Sequence, residues 1–391
     1  MSQTVDPQIA APPAVEAAPE QSTPRSAGTG RLESVDALRG FNMFWIIGGA
    51  DLFAAIAKAV NVGWLNAISD NLTEHVEWVG FHFHDMIFPL FLFIIGVTTP
   101  FAFARRLEKG ATRADLVRHV LKRTLVLFAL GLVYGGVLKL PGFENVRIMG
   151  VLQRLGLASG CAALIYLFCN RRGQIIAAVS LLLAYWAAMC WLPVPGVPLG
   201  TFTEEGNFAN YLDRVIFFPG QIYKPYGDPE GVFSTIPAIV TALLGIFAGL
   251  WLRSPKTPKE KVRGLVIAGL LGIAAGYAWS PWFPVIKKIW TSSYVLVAGG
   301  WSALLLALFY WIIDVRGWKR WAYFFAVIGL NPITIYLGQK FIDFGKIANF
   351  FVGGVLQFTG VLTPILLAAA VLAVKWLFLR FLYKQRIYLR V

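Results

Sequence analysis

The stretch HVEWVGFHFHDMIFPLF, residues 75–91, holds His75, His82 and His84, three of the four histidines in a chain of 391 residues. A neutral imidazole accepts a proton near pH 7, so this is the segment best equipped for general-base chemistry. Asp85 is the natural carboxylate to orient or charge-stabilise such a base. Helical spacing does not bring His75 to Asp85, so a bend must intervene. A plainer account also fits: His82 and His84 alternate with Phe81 and Phe83 and, with Trp78, suit a membrane-interface belt.

Other polar residues sit where apolar runs begin or break. Arg147, Gln153 and Arg154 open one run in RIMGVLQRLG. Seven residues apart, the two arginines would share a helix face, with Arg154 about 10 Å deeper. A cation at that depth needs an anionic partner or a hydrated cavity, which makes Arg154 a functional candidate. Arg147 could simply snorkel to the interface. In DPEGVFST, Asp228 reads as a helix N-cap, Pro229 suits the first turn and Glu230 complements the positive helix end. Asp36 and Arg39, at i and i+3, can pair on one helix face. Pro332 interrupts GLNPITIYLG, where Asn331 and Tyr336 add polar groups; such a break lines a cavity or is only a kink.

The elements that position these residues are membrane helices. The chain is 57% hydrophobic and 14% charged, against about 25% charged in a soluble domain, and its mean hydropathy is +0.63. About ten runs are long and apolar enough to cross a bilayer as helices, near 37–59, 83–104, 117–138, 147–169, 173–193, 231–252, 262–281, 290–313, 320–343 and 360–382. The expected fold is therefore an all-α polytopic bundle. Its net charge of +14 is not a nucleic-acid signal, because the basic residues cluster in alternate loops. By the positive-inside rule both termini are cytoplasmic, and His75 lies on the far, periplasmic side of what we expect to be a bacterial inner membrane. Residues 1–30, rich in Ala, Pro, Ser and Gln, read as a disordered tail ahead of a transmembrane domain over 31–391. That tail has no apolar core of signal-peptide type. The three cysteines fall inside apolar runs and read as small buried hydrophobes, not as metal ligands or disulfides.

No HExxH, GxSxG or phosphate-loop pattern occurs in a suitable context. On residues alone, a membrane enzyme and a secondary transporter of a small anionic or sugar-like solute are evenly matched, with a non-catalytic scaffold behind them. No internal repeat favours the transporter. Six strings tip the balance: VDALRGFNMFW, HVEWVGFHFHDMIFPLFLFIIG, RIMGVLQRLG, DPEGVFSTIPAIV, KKIWTSSYVL and GLNPITIYLG, in this order over residues 31–385. Together they resemble the heparan-alpha-glucosaminide N-acetyltransferase family of transmembrane acyltransferases.

The resemblance implies transfer of an acetyl group from cytosolic acetyl-CoA to an amine, such as that of an amino sugar or glycan, on the far side. It selects His75 as catalytic base or transient acyl carrier, with Asp85 behind it and Trp78 in the same motif. An asparagine late in the family's first span falls on Ala50 in an ungapped match, so the neighbouring Asp51 is a substrate-binding candidate. Trp78, Arg147, Gln153, Arg154, Asp228, Glu230, Ser292 and Asn331 complete that set. Asp36, Arg39, Arg118, Lys122 and Arg123 are the candidates for holding acetyl-CoA. The implied partners are acetyl-CoA, an amino-sugar or glycan acceptor and the lipid bilayer, with a homodimer as a candidate assembly, and no metal or nucleic acid.

Overall fold

A computed structural model describes residues 32–140 and 142–389. The expected tail over 1–30 lies outside the described residues. The described chain is helical, without strands. Helix α1 (Glu33–Phe44) passes through a π-helical turn at Trp45–Gly49 into α2 (Ala50–Val60). The bend falls on Gly48, whose φ of 140° is open to a residue without a Cβ. Then follow α3 (Gly63–Thr73), α4 (Ile87–Glu108), α5 (Arg113–Tyr134), α6 (Val151–Phe168), α7 (Arg171–Trp191) and the short α8 (Phe208–Ile216). The second half contains α9 (Thr235–Arg253), α10 (Pro258–Trp279), α11 (Ser292–Phe309), α12 (Ala322–Leu330), α13 (Pro332–Phe341), α14 (Phe344–Leu356) and α15 (Thr363–Lys384).

Eight of these helices, taken with their continuations, are long and apolar enough to cross a membrane, and α12 with α13, bent by 69°, would make a ninth. The expected tenth span falls on α5. That helix forms, with Thr112 and Asp115 capping its start, but Arg118, Lys122 and Arg123 on it leave its apolar stretch too charged to count. Arg123 turns inward, donating to Ser159 Oγ at 3.1 Å, and Arg118 stays outward beside Asp115.

Helices α4, α9 and α11 form the buried centre, with Leu92, Ala242 and Val295 fully enclosed. In lipid the apolar effect does not drive helices together, so close backbone contact must. Gly96 on α4 faces Gly245 on α9 so tightly that a methyl group at Gly96 would strike the Ala242 carbonyl. Gly40 and Gly329 do the same for α1 and α12. By contrast α15 shows Leu366, Leu377 and Phe381 outward, as a lipid-facing helix does.

Two local expectations change. The residues from Arg147 to Gly150 are non-helical, so Arg147 and Arg154 are not on one helix; α6 starts at Val151. Asp228 is not the cap of α9, which starts at Thr235. The segment YGDPEG is a turn, and Asp228 ties it by accepting from Tyr223 N at 2.9 Å and Glu230 N at 2.9 Å.

Candidate active site

The loop between α3 and α4 is folded around one buried carboxylate. Asp85 lies in a 3₁₀ turn, Phe83–Met86, just ahead of α4. Its Oδ2 accepts from His82 N at 3.0 Å and Val76 N at 3.3 Å, and its backbone carbonyl accepts from the Tyr294 hydroxyl at 2.7 Å. Gly80, at φ 132°, makes the reversal between them and donates its N–H to Val285 O at 2.9 Å. This is the bend that carries His75 back to Asp85: His75 Nδ1 stands 2.8 Å from Asp85 Oδ1.

The contact defines the tautomer. A carboxylate only accepts, so Nδ1 carries the proton and donates it, and Nε2 keeps its lone pair. His75 is 52% exposed while Asp85 is 1% exposed, so a half-open imidazole is held from behind by a buried charge. His84 packs its ring 4.5 Å from that of His75 and lies 3.2 Å, through Nδ1, from Leu72 O. His82 lies 3.2 Å from Glu74 O. The three histidines therefore have three different environments.

A third charged group joins the pair from the loop between α10 and α11. Lys287 Nζ is 3.4 Å from Asp85 Oδ1, and 2.9 and 3.2 Å from the Nδ1 and Nε2 atoms of His75. Nearly equidistant from the two ring nitrogens, Nζ lies over the imidazole and leaves the Nε2 lone pair unoccupied. Thr291 pins this loop by accepting from Ile286 N at 3.0 Å, and Ser293 does so by donating to Pro284 O at 3.0 Å. Burial holds the Lys287 ammonium below the ordinary lysine value of 10.5, and Asp85 pulls it part of the way back.

His75 and Lys287 border a cavity of about 210 Å³, with Asp85 buried behind them. His75, His84, Lys287, Glu230 and Tyr336 are its charged or titratable lining; Phe88, Phe91, Leu155 and Ile333 are among its apolar walls. Glu230 is placed by Arg147, which grips Asp228 through Nε at 2.8 Å and Nη2 at 2.6 Å and reaches Glu230 Oε2 at 2.6 Å. A second cavity, about 620 Å³, opens at the other end of α1 and α4. Asp36, Arg39, Arg105, Arg106 and Lys109 line it with Leu330 and Tyr388.

The family model described as heparan-alpha-glucosaminide N-acetyltransferase, catalytic, matches residues 31–270. The chain belongs to this family. Among its relatives, heparan-alpha-glucosaminide N-acetyltransferase of Mus musculus is 25% identical over 385 residues, 83% of this chain and 55% of the relative. The Homo sapiens protein of that name is 26% identical over 369 residues, 79% of this chain and 53% of the relative. The chain thus spans about half the length of the curated relatives it matches.

Not every residue singled out in this heparan-alpha-glucosaminide N-acetyltransferase family chain reaches the cavity. His75, Asp85, Glu230, Arg147 and Asp228 converge as described. Arg154 is fully buried behind it, donating to Gly231 O at 3.2 Å and to Ser234 Oγ, with its guanidinium 4.9 Å from the Trp290 ring centre. Its Nε and Nη1 have no hydrogen-bond partner among the described residues. Gln153 is buried against Gly131 and Gly150. Trp78 donates to Phe202 O at 2.7 Å, and Ser292 to Leu182 O at 2.8 Å, both as braces. Asn331 is taken up by the C-terminal segment, donating to Ile387 O at 2.9 Å and accepting from Leu389 N at 3.2 Å. Asp51 is exposed on α2, away from the cavity lining. Of the candidates for acetyl-CoA, Asp36 and Arg39 line the basic cavity. Arg118 and Lys122 lie on an outward groove of α5 with Leu121 and Leu125. Sequence reasoning missed Lys287. Its signal was the KK of KKIWTSSYVL, 212 residues from His75 and indistinguishable from an ordinary loop charge.

Proposed function

We propose that this protein is an acetyl-CoA-dependent transmembrane acetyltransferase that acetylates an amine, most simply that of an amino sugar, on the side of the membrane opposite the donor. The observation that carries this reading is the His75–Asp85 pair beside an apolar cavity. His75 Nε2 takes the proton from the acceptor amine as its nitrogen attacks the thioester carbonyl. The C–N bond forms, the C–S bond breaks, and the proton passes to the departing sulfur. Asp85 holds the imidazole in the required tautomer and stabilises the imidazolium. The basic cavity of Arg39, Arg105, Arg106 and Lys109 has the charge to receive the phosphates of the donor. In this reading the basic cavity is cytoplasmic, as the clustering of Lys and Arg beyond α4 supports, and His75 faces outward. Family membership and the charge separation between the two cavities support the reading.

The test is acetyl transfer from radiolabelled acetyl-CoA to glucosamine by purified full-length protein. Wild-type protein should label the amine and His75→Ala should not. Equal turnover by the two proteins overturns the assignment of His75.

A further inference from the structure

We propose that Lys287 is a catalytic residue: its ammonium binds the oxyanion that forms when the acceptor amine adds to the thioester. The inference rests on the proposed function and assigns a role to a residue not placed in it. Attack on a thioester puts a negative charge on the carbonyl oxygen, and a preorganised donor at that oxygen is worth about 10²–10³ in kcat. The cavity lining must supply the donor. Arg154 does not line the cavity: it is buried behind it against Gly231, Ser234 and the Trp290 face. Asn331 is committed to the C-terminal segment. Glu230 is an anion. His75 is the base. His84 and Tyr336 also line the cavity, but Lys287 is its one lysine or arginine and stands within 3.4 Å of both His75 and Asp85.

Its position fits the chemistry. An ammonium has three N–H donors. One can reach Asp85 Oδ1, 3.4 Å away, and the ammonium stands 3.2 Å from His75 Nε2 without occupying its in-plane lone pair. The acceptor amine approaches along that lone pair, because Nε2 is the atom that receives its proton, and so comes beside the ammonium. The carbonyl oxygen is two bonds from the attacking nitrogen, so it too arrives within reach of Lys287. Lys287 keeps its proton throughout: the electron pair rests on oxygen, returns to carbon as C–S breaks, and the amine proton travels through His75. Asp85 fixes both partners, so base and oxyanion donor move as one unit.

The experiment compares full-length wild-type protein, His75→Ala, Lys287→Met and Lys287→Cys in acetyl transfer to glucosamine. The Lys287→Cys protein is assayed before and after aminoethylation with bromoethylamine. This rebuilds an ammonium on a side chain of lysine length, and wild-type protein with its own three cysteines is treated alike as the control. Lys287→Met should lose 10²–10³ in kcat with KM for acetyl-CoA within about threefold. Aminoethylation should return at least tenfold to Lys287→Cys and nothing to the control. Lys287→Met within threefold of wild type, beside an inactive His75→Ala, overturns the inference and leaves the proposed function standing. Failure of the aminoethylated protein, its modification confirmed by mass, to restore any turnover also overturns it, because the ammonium is then not the group whose loss stopped the reaction. Wild-type protein without transfer overturns both.

Discussion

On the proposed function, replacing Asp85 with Asn separates orientation of the base from its presence. The carboxylate takes His75 Nδ1–H at 2.8 Å on Oδ1 and two backbone N–H groups at 3.0 and 3.3 Å on Oδ2. An Asn side chain can keep the backbone donors on its oxygen, but its NH₂ then faces Nδ1. Two donors cannot share a hydrogen bond, so the imidazole adopts the other tautomer, with its proton on Nε2. That places hydrogen where the acceptor amine should deliver its own. The charge effect adds to this. An imidazolium and a carboxylate about 4 Å apart attract by about 4 kcal/mol at an effective dielectric constant near 20. His75 is 52% exposed, so we take about half of that, about 2 kcal/mol or a factor of about 30. A triad Asp→Asn change elsewhere, where the tautomer is lost in a closed site, costs about 10⁴ in kcat.

We therefore expect Asp85→Asn to lower kcat by about 10²–10³, between those bounds, with little change in KM for acetyl-CoA. CoA thiol release is the assay, with thermal melting in the same detergent to confirm folding. If Asp85→Asn melts like wild type and keeps kcat within threefold while His75→Ala is inactive, Asp85 does not orient the base and the dyad is refuted.

Three other predictions follow from the same geometry. Arg147→Ala should destabilise the protein by about 3 kcal/mol, because it leaves Asp228 buried without its cation; Arg147→Ala with Asp228→Ala should cost less than the sum of the singles, and additive melting losses would show that the pair is not coupled. Burial raises Asp213 from 3.8 to about 7, against the Val232 N–H that it accepts. The folded carboxyl thus holds its proton more tightly than the unfolded chain does, so its contribution to stability is complete below pH 3.8 and lost as pH rises through about 7. Asp213→Asn should flatten that part of the Tm–pH curve, worth up to about 4 kcal/mol, and a slope equal to that of wild type refutes the assignment. On the proposed function, Arg105→Ala with Arg106→Ala should raise KM for acetyl-CoA about tenfold with kcat unchanged, one to two charge-assisted contacts being lost; a fall in kcat at constant KM would place these arginines elsewhere in the reaction.

Long-range pairing divides what the sequence reveals from what it hides. The long helices were legible because each apolar run is long enough to state its own conformation; the short α3, α8 and α14 fell outside those runs, and α5 formed but carries Arg118, Lys122 and Arg123. The Asp85 loop was half legible: His75 and Asp85 stood out by type, but the bend at Gly80 depends on Val285, from a loop some two hundred residues later. Arg147 and Arg154 show why spacing misleads at a helix start. A seven-residue interval implies a shared face only if the chain is helical between them, and here Gly150 is extended. Both arginines still turn to one loop, 228–234, because that loop presents the carboxylates, carbonyl and hydroxyl that buried guanidinium groups require. Asn331 and Ser292 misled for a simpler reason: a buried polar side chain must find a partner, and a backbone carbonyl satisfies it as well as a substrate does.

The two cavities divide the same elements between them, α1, α4 and the bent α12–α13 pair. Met43 and Ile46 on the α1 side border the histidine cavity, whereas Val35, Asp36 and Arg39 border the basic one. On α4 the switch comes between Phe91 and Thr98, seven residues or about 10 Å. On the bent pair it comes at Asn331: Leu330 faces the basic cavity, and Pro332 and Ile333 face the other. A regular helix has no free carbonyls to hold such a partition open, but the breaks here are closed by side chains. Lys375 donates to Ile47 O at 2.7 Å beside Gly48, and Asn331 anchors the C-terminal segment at the kink. Only about a third of the length of α4 separates the cavities, so on the proposed function the donor thioester has a short apolar barrier to pass while its phosphates stay with the arginines. An apolar wall suits an acetyl thioester and rejects ions. A transporter would need the opposite, a polar path for the whole solute, and most of the residues lining the histidine cavity are apolar.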